Sequence, residues 1–382
     1  MNTSLVNLAP LPRLALLALL VALPMLAWWW WRGRTSGASA RLAALTALTL
    51  FLTFDLIVFG AFTRLTDSGL GCPDWPGCYG EASPFGARSE IGEAQAALPS
   101  GPVTWGKAWI EMIHRYLAMS VGLLILVATI GSWWKRAQLP HSPWWPTLTL
   151  VWVIVQGLFG KYTVTLKLYP AIVTLHLMGG LILLLLLVLQ RESFANRPIQ
   201  PVQPLHGRLP RWAIGTTLAI LLLQAALGGW VSSNYAVLAC RGFPDCNGAW
   251  WPAMDFEHGF TLLRELGRAG HGGFLPFDAL VAIHMVHRLF ALVATAALIA
   301  LVVGLLRDGG ATPRRFALLL AGLLVVQIAS GLSNVVLDWP IVAALGHSAG
   351  AAALVGVLGA LWSRWRTAPQ AAMARSAEWR PA

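Results

Sequence analysis

The chain is predicted to be an all-α, polytopic membrane protein: two pseudo-symmetric four-helix bundles plus one extra N-terminal transmembrane helix. Three observations predict this. Of 382 residues, 57% are hydrophobic and 11% charged, whereas a soluble domain carries roughly 25% charged residues. Nine apolar runs are long enough to cross a bilayer. The last eight of these fall into two sets that repeat each other at offsets of 168 to 173 residues.

The first run, at about 12–31, closes on Trp28–Trp31 ahead of Arg32 and Arg34. It is long, no clean small-x-small cleavage site follows, and a tryptophan belt leads into Arg32 and Arg34, so it reads as an uncleaved span rather than a signal peptide. Runs at about 42–63, 107–134, 145–165 and 171–190 make the first bundle. Those at about 211–232, 279–306, 314–337 and 340–362 make the second. The segments are then 1–41 for the extra helix, 42–190 and 211–362 for the two halves, 191–210 for a Pro- and Arg-rich linker and 363–382 for a tail.

Charge orients the helices. Basic residues follow every second run: Arg32, Arg34 and Arg41; Lys135 and Arg136; Arg191, Arg197, Arg208 and Arg211; Arg307, Arg314 and Arg315; Arg364 and Arg366. Those loops, with the linker and tail, are assigned to the cytoplasm. Acids gather in two long loops, about 64–106 and 233–278, which face outside. A bacterial inner (plasma) membrane with these loops on the periplasmic side is the expected location. The net charge of +11 is explained by basic cytoplasmic loops and membrane lipid, so no nucleic-acid partner is expected.

Each long loop carries a cysteine pair at the same spacing: Cys72-Pro-Asp-Trp-Pro-Gly-Cys78 and Cys240-Arg-Gly-Phe-Pro-Asp-Cys246. In an oxidising compartment this reads as two small disulfide rings. Zinc or free thiols are the alternative, although neither pair has a nearby His-x-x-x-His or a second cysteine pair.

Four histidines lie on apolar runs at matched places in the repeat. His114 and His176 are 62 residues apart, His287 and His347 60 apart. Glu111-Met-Ile-His114-Arg115 aligns with His284-Met-Val-His287-Arg288. Gln156, Gly160, Val164, Leu166 and His176 align with Gln327, Gly331, Val335, Leu337 and His347. All four histidines come early on helices running from outside to inside, on the order of 10–14 Å below the outer surface at 1.5 Å per residue. One such histidine is ordinarily a satisfied core residue. Four at duplicated positions mark function, because a polar ring in lipid is costly. Two facing imidazoles make an axial clamp for a haem iron, so two haem sites are expected.

Arg115 and Arg288 each follow a predicted ligand and suit haem propionates, or else pack with backbone partners. His284 lies one turn before His287 and competes with it; the repeat assigns the ligand role to His287. Where the second half has His284, the first has Glu111, one turn from His114. A carboxylate beside one site only points to different jobs: a first haem acted upon, a second that carries electrons. Glu111 could otherwise simply hydrogen-bond an interface. Asp55, inside the second run, is a further intramembrane acid for the same site or a proton path. His141, His206, His258 and His271 fall in loops and are not expected at a site.

These residues give the chain its resemblance to the haem A synthase family, over nearly all of 42–362. The carrying strings are Arg64-Leu-Thr-Asp-Ser-Gly-Leu-Gly-Cys72-Pro-Asp-Trp75-Pro, Glu111-x-x-His114-Arg115, His176, His287-Arg288, His347 and the two cysteine pairs. The resemblance implies eight helices in two halves that oxidise the C8 methyl of haem O to a formyl group. It implies a resident haem b on His287 and His347, the substrate haem between His114 and His176, Glu111 as catalytic acid, and disulfides in both loops. The helix at 12–31 departs from the family pattern. Two hydroxylations would give a geminal diol that loses water; side chains alone cannot oxidise the methyl, whereas a redox iron can. Glu111 would take protons or steady a cationic methyl carbon.

Three other readings compete. A dihaem b-type cytochrome exchanging electrons with quinone would share the histidines, but gives no reason for Glu111 or the cysteine loops. A haem O synthase would need Asp-rich, Mg²⁺-binding motifs, which these runs lack. A haem carrier would not need Glu111. The electron donor, ferredoxin-like or a quinol, has no sequence signature. Haem O synthase and oxidase assembly factors are partners expected from the pathway.

Overall fold

The computed structural model describes residues 5–194, 209–270 and 273–365. His206 and His271, most of the linker and most of the tail lie outside the described residues. The elements in order are α1 (Leu11–Arg32), α2 (Ala38–Leu65), α3 (Arg88–Ala97), α4 (Trp105–Trp134), α5 (Trp144–Thr165), α6 (Pro170–Phe194), α7 (Arg211–Ser233), α8 (Phe256–Gly259), α9 (Phe277–Asp308), α10 (Ala311–Val336) and α11 (Ile341–Arg364). All but α3 and α8 are long and apolar enough to span a membrane, and they coincide with the nine predicted runs. In hydrocarbon every backbone group must be satisfied within its own segment, which leaves a helix as the available form. The two short helices lie in the long polar loops, where hydropathy carries no span signal.

The eight helices after α1 pack as two rings of four. In one, α2 and α5 each pack on both α4 and α6; in the other, α7 and α10 each pack on both α9 and α11. So α4 stands across its ring from α6, and α9 across from α11. The rings join where α6 meets α7 and α11, and where α2 meets α11. Small residues let the backbones close there: a Cβ at Gly359 would lie 2.4 Å from Leu185, and one at Gly229 would lie 3.0 Å from Leu177. Leu181, Leu184 and Ala352 are buried at this seam.

The repeat extends to the backbone. Asp67 and Tyr235, Tyr79 and Asn247, and the doublets Lys167–Leu168 and Asp338–Trp339 all have positive φ between 50° and 65°. Each pair is separated by the same 168 or 171 residues as the sequence repeat. Left-handed backbone is unusual outside glycine, so its recurrence at equivalent places reports a shared local fold.

Both cysteine pairs are disulfides, with Cα atoms 4.9 Å and 4.8 Å apart, which leaves no thiol pair for zinc. The extra helix α1 packs on α4, burying Leu14, Ala18 and Ala22. The segment before it pairs with the first disulfide ring: Asn7 N–H donates to the Trp75 carbonyl (2.9 Å) and Trp75 N–H to that of Leu5 (3.1 Å). The start of α1 therefore lies at the same end of the bundle as Cys72 and Cys78.

Candidate functional site

His114 sits on α4 and His176 on α6, across the first ring; His287 on α9 and His347 on α11 have the same relation in the second. All four keep some accessible surface, whereas His284 is buried.

Each of these imidazoles faces a glycine on an intervening helix. A Cβ at Gly60 on α2 would lie 3.1 Å from His114 Nε2. One at Gly160 on α5 would lie 3.7 Å from His176 Cε1. One at Gly228 on α7 would meet His287 Cε1 at 3.0 Å, and one at Gly331 on α10 would meet His347 Cε1 at 3.1 Å. Gly60 and Gly228 are 168 residues apart, Gly160 and Gly331 171 apart. At Gly60, Gly228 and Gly331 a side chain would crowd the ring, whereas the approach at Gly160 is ordinary van der Waals contact. Sequence reasoning singled out Gly160 and Gly331 only as marks of the repeat and missed Gly60 and Gly228. Their shared offset with the cysteine rings was the signal that would have found them.

Behind the rings the halves differ. Ser330 Oγ lies 3.1 Å from His347 Nδ1 and donates its own proton to the Val326 carbonyl (2.7 Å). Gln224 Nε2 lies 3.1 Å from His287 Nδ1, and Gln224 Oε1 is buried without a partner. In the first half His114 stacks on Phe59, with centroids 6.3 Å apart. His176 Nδ1 is buried without a partner.

Glu111 and Arg115 are a buried ion pair on one face of α4. Glu111 Oε2 accepts from Cys72 N–H (2.8 Å). Arg115 Nη1 donates to the carbonyls of Asp74, Pro76 and Gly77 at 2.6–3.1 Å. The second half repeats the arrangement with different chemistry. His284 Nδ1 meets the Ala236 carbonyl (2.9 Å), and its Nε2 accepts from Arg288 Nε (3.1 Å). Arg288 also donates to the carbonyls of Asp245, Cys240 and Gly242. His284 is thus occupied at both ring nitrogens, away from any partner across the ring.

Asp55 is exposed on α2, one helical turn before Phe59, the residue stacked on His114. His141 packs edge-on against Phe194, and His258 bonds Asp255 in the outer loop, so neither approaches the four histidines.

The donor set fits an iron macrocycle. Among the described residues no three or more His, Cys, Asp or Glu converge, as an ion held by protein alone would require. Paired imidazoles with glycine notches beside them suit a flat ligand that brings its own four equatorial nitrogens. Residues 43–358 match the family described as "Cytochrome oxidase assembly protein". The chain belongs to that family. Within this cytochrome oxidase assembly family, the chain is 37% identical to "Heme A synthase" of Shewanella oneidensis over 317 residues, 82% of this chain and 94% of the relative. It is 27% identical to "Heme A synthase" of Rhizorhabdus wittichii, over 83% of this chain and 91% of that one. To "Heme A synthase" of Shouchella clausii it is 28% identical, over 59% and 69%. The family match begins after α1, so the docked N-terminal helix lies outside it.

Proposed function

We propose that this chain is a haem A synthase of a bacterial plasma membrane, oxidising the C8 methyl of haem O to a formyl group. The supporting observation is the duplicated histidine pair, each ring beside a glycine, in a member of this family. His114 and His176 take the substrate haem O; His287 and His347 take a resident haem b. A bound haem b supplies single-electron transfer to the site.

Glu111 is the acid of the first half. Its carboxylate is one turn from His114 and is held by Arg115 and by the Cys72 N–H. Fixed charge of this kind acts without reorganising, so it can steady a cationic methyl carbon or receive the proton lost on hydroxylation. Arg115 and Arg288 we assign to the loops, in place of the propionate contacts expected from sequence, because loop carbonyls already take their donors. They tie each disulfide ring down over its pair of histidines. The cysteine loops face the periplasm, as the basic loops at the opposite ends of the helices require. Each hydroxylation would take one oxygen atom from dioxygen as the oxidant and reduce the other to water, with the two electrons given by a ferredoxin-like protein or a quinol; the enzyme that makes haem O delivers the substrate, with oxidase assembly factors downstream.

The test is the haem profile of membranes from cells that make haem O, expressing either the wild-type chain or Glu111→Ala. The wild type should yield haem A; the variant should keep its bound haem b and yield none. Unchanged haem O with the wild type would sink the enzyme and favour the dihaem cytochrome. Full conversion by Glu111→Ala would remove Glu111 from the chemistry.

A further inference from the structure

We infer that Ser330 and Gln224 are positioning residues that lock the His287/His347 clamp, and that their replacement by Phe159 and Leu56 leaves the His114/His176 clamp exchangeable. This rests on the assignment of the resident haem to the second half and deepens it, since it says what makes one clamp permanent.

A neutral imidazole carries one N–H, and only its other nitrogen can bind iron. The shortest bond of Ser330 Oγ is the one it donates to the Val326 carbonyl (2.7 Å), and in that arrangement it faces His347 Nδ1 as an acceptor. His347 then carries its proton on Nδ1, which leaves Nε2 free for a metal. Gln224 lies against His287 Nδ1 with its amide, and its Oε1 is otherwise orphaned. A half turn of that amide places the oxygen on Nδ1–H and gives the buried acceptor its partner, in exchange for the 3.2 Å bond that Nε2 donates to the His287 carbonyl. Both rings of the second half thus have a group able to fix the tautomer and raise ligand basicity, the role usually filled behind metal-bound histidines.

The first half cannot do this at equivalent places. Residue 330 less 171 is Phe159; residue 224 less 168 is Leu56. Neither side chain accepts a hydrogen bond. His176 Nδ1 is buried with no partner, and His114 has the face of Phe59 beside it. Meanwhile a glycine stands beside the imidazole in all four places, closest at Gly60, Gly228 and Gly331. The halves therefore share the means of placing an imidazole and differ in the means of fixing its proton and its grip. A substrate that must enter and leave as product needs the weaker grip.

The experiment uses the purified holoprotein with its bound haem. Ser330→Ala, Ser330→Thr, Gln224→Leu and His347→Ala are compared by low-spin haem spectroscopy, midpoint potential and the rate of haem transfer to an acceptor globin. Ser330→Ala and Gln224→Leu should move the potential upward, alter the low-spin signature and release haem about 10–100-fold faster, the usual cost of losing such a partner. Ser330→Thr, which keeps the hydroxyl, should restore all three readouts. His347→Ala should abolish the haem. If His347→Ala keeps its haem, the assignment of the resident site fails. If His347→Ala loses haem while Ser330→Ala and Gln224→Leu match wild type, the positioning role alone is overturned. Should Ser330→Ala not accumulate, Gln224→Leu carries the same comparison.

Discussion

Gly60 stands so close to His114 that a methyl group built on it would lie 3.1 Å from Nε2. The corresponding approach of Gly228 to His287 is 3.0 Å. Neither glycine is needed for a turn; both lie inside helices, where glycine costs up to about 1 kcal/mol relative to alanine. What they provide is room for a ring. Gly60→Ala should therefore leave bound haem b in place and lower haem A output about tenfold, whereas Gly228→Ala should lower the haem b that copurifies. Pigment extraction read beside the Soret absorbance of the purified protein checks both, and equal loss in the two variants would refute the division between halves.

Arg115 and Arg288 do matched work with unmatched partners. Removing Arg115 leaves a buried carboxylate, Glu111, without its counter-charge. Breaking a buried pair in this way costs about 3–5 kcal/mol. Removing Arg288 leaves an imidazole and three carbonyls, at about 1–3 kcal/mol. Arg115→Ala should thus lower the thermal midpoint in detergent more than Arg288→Ala. It should also expose the 72–78 ring to protease sooner.

The two seven-residue rings should each show the mass of a disulfide, and thiol alkylation without reductant should label none of the four cysteines. A loop this short stabilises by about 2 kcal/mol in the chain-entropy account. Cys72→Ala with Cys78→Ala should lower the thermal midpoint while sparing the haem b spectrum, because His287 and His347 belong to the other ring.

Tyr235 links the outer ends of the halves. Its hydroxyl donates to Asp67 at 2.6 Å, and the Arg64 guanidinium lies 3.8 Å above its ring. Burial pushes the phenol above its ordinary value of 10, Arg64 opposes that, and the bond to Asp67 adds to it. Since the folded value is the higher one, this contribution is complete below pH 10 and is lost as pH rises through the folded value. Melting curves between pH 9 and 11.5 should show a falling midpoint above pH 10. Tyr235→Phe should lack that part of the decline; an unchanged slope in the variant would disprove the link.

Much of this protein was legible without a fold. A bilayer leaves a spanning chain little choice but helix, so hydropathy alone located nine spans. Duplication then paired His114 with His287 and His176 with His347, because a repeated chain repeats its positions. The disulfides followed from spacing in polar loops. What hydropathy could not decide was direction. A run apolar on every side does not say which face looks inward. Nor does a motif say where a guanidinium points: Arg115 and Arg288 turn to carbonyls about 40 residues away in the chain.

Order along the chain thus determined which residues are present at equivalent depth and in what number. Only the packing of distant helices decided what stands behind each imidazole. Ser330 and Gln224 are unremarkable polar residues until α10 and α7 bring them within 3.1 Å of His347 and His287. The reason is physical: hydropathy acts locally and sums over a segment, whereas a hydrogen bond depends on the distance and angle between two groups that the sequence holds far apart.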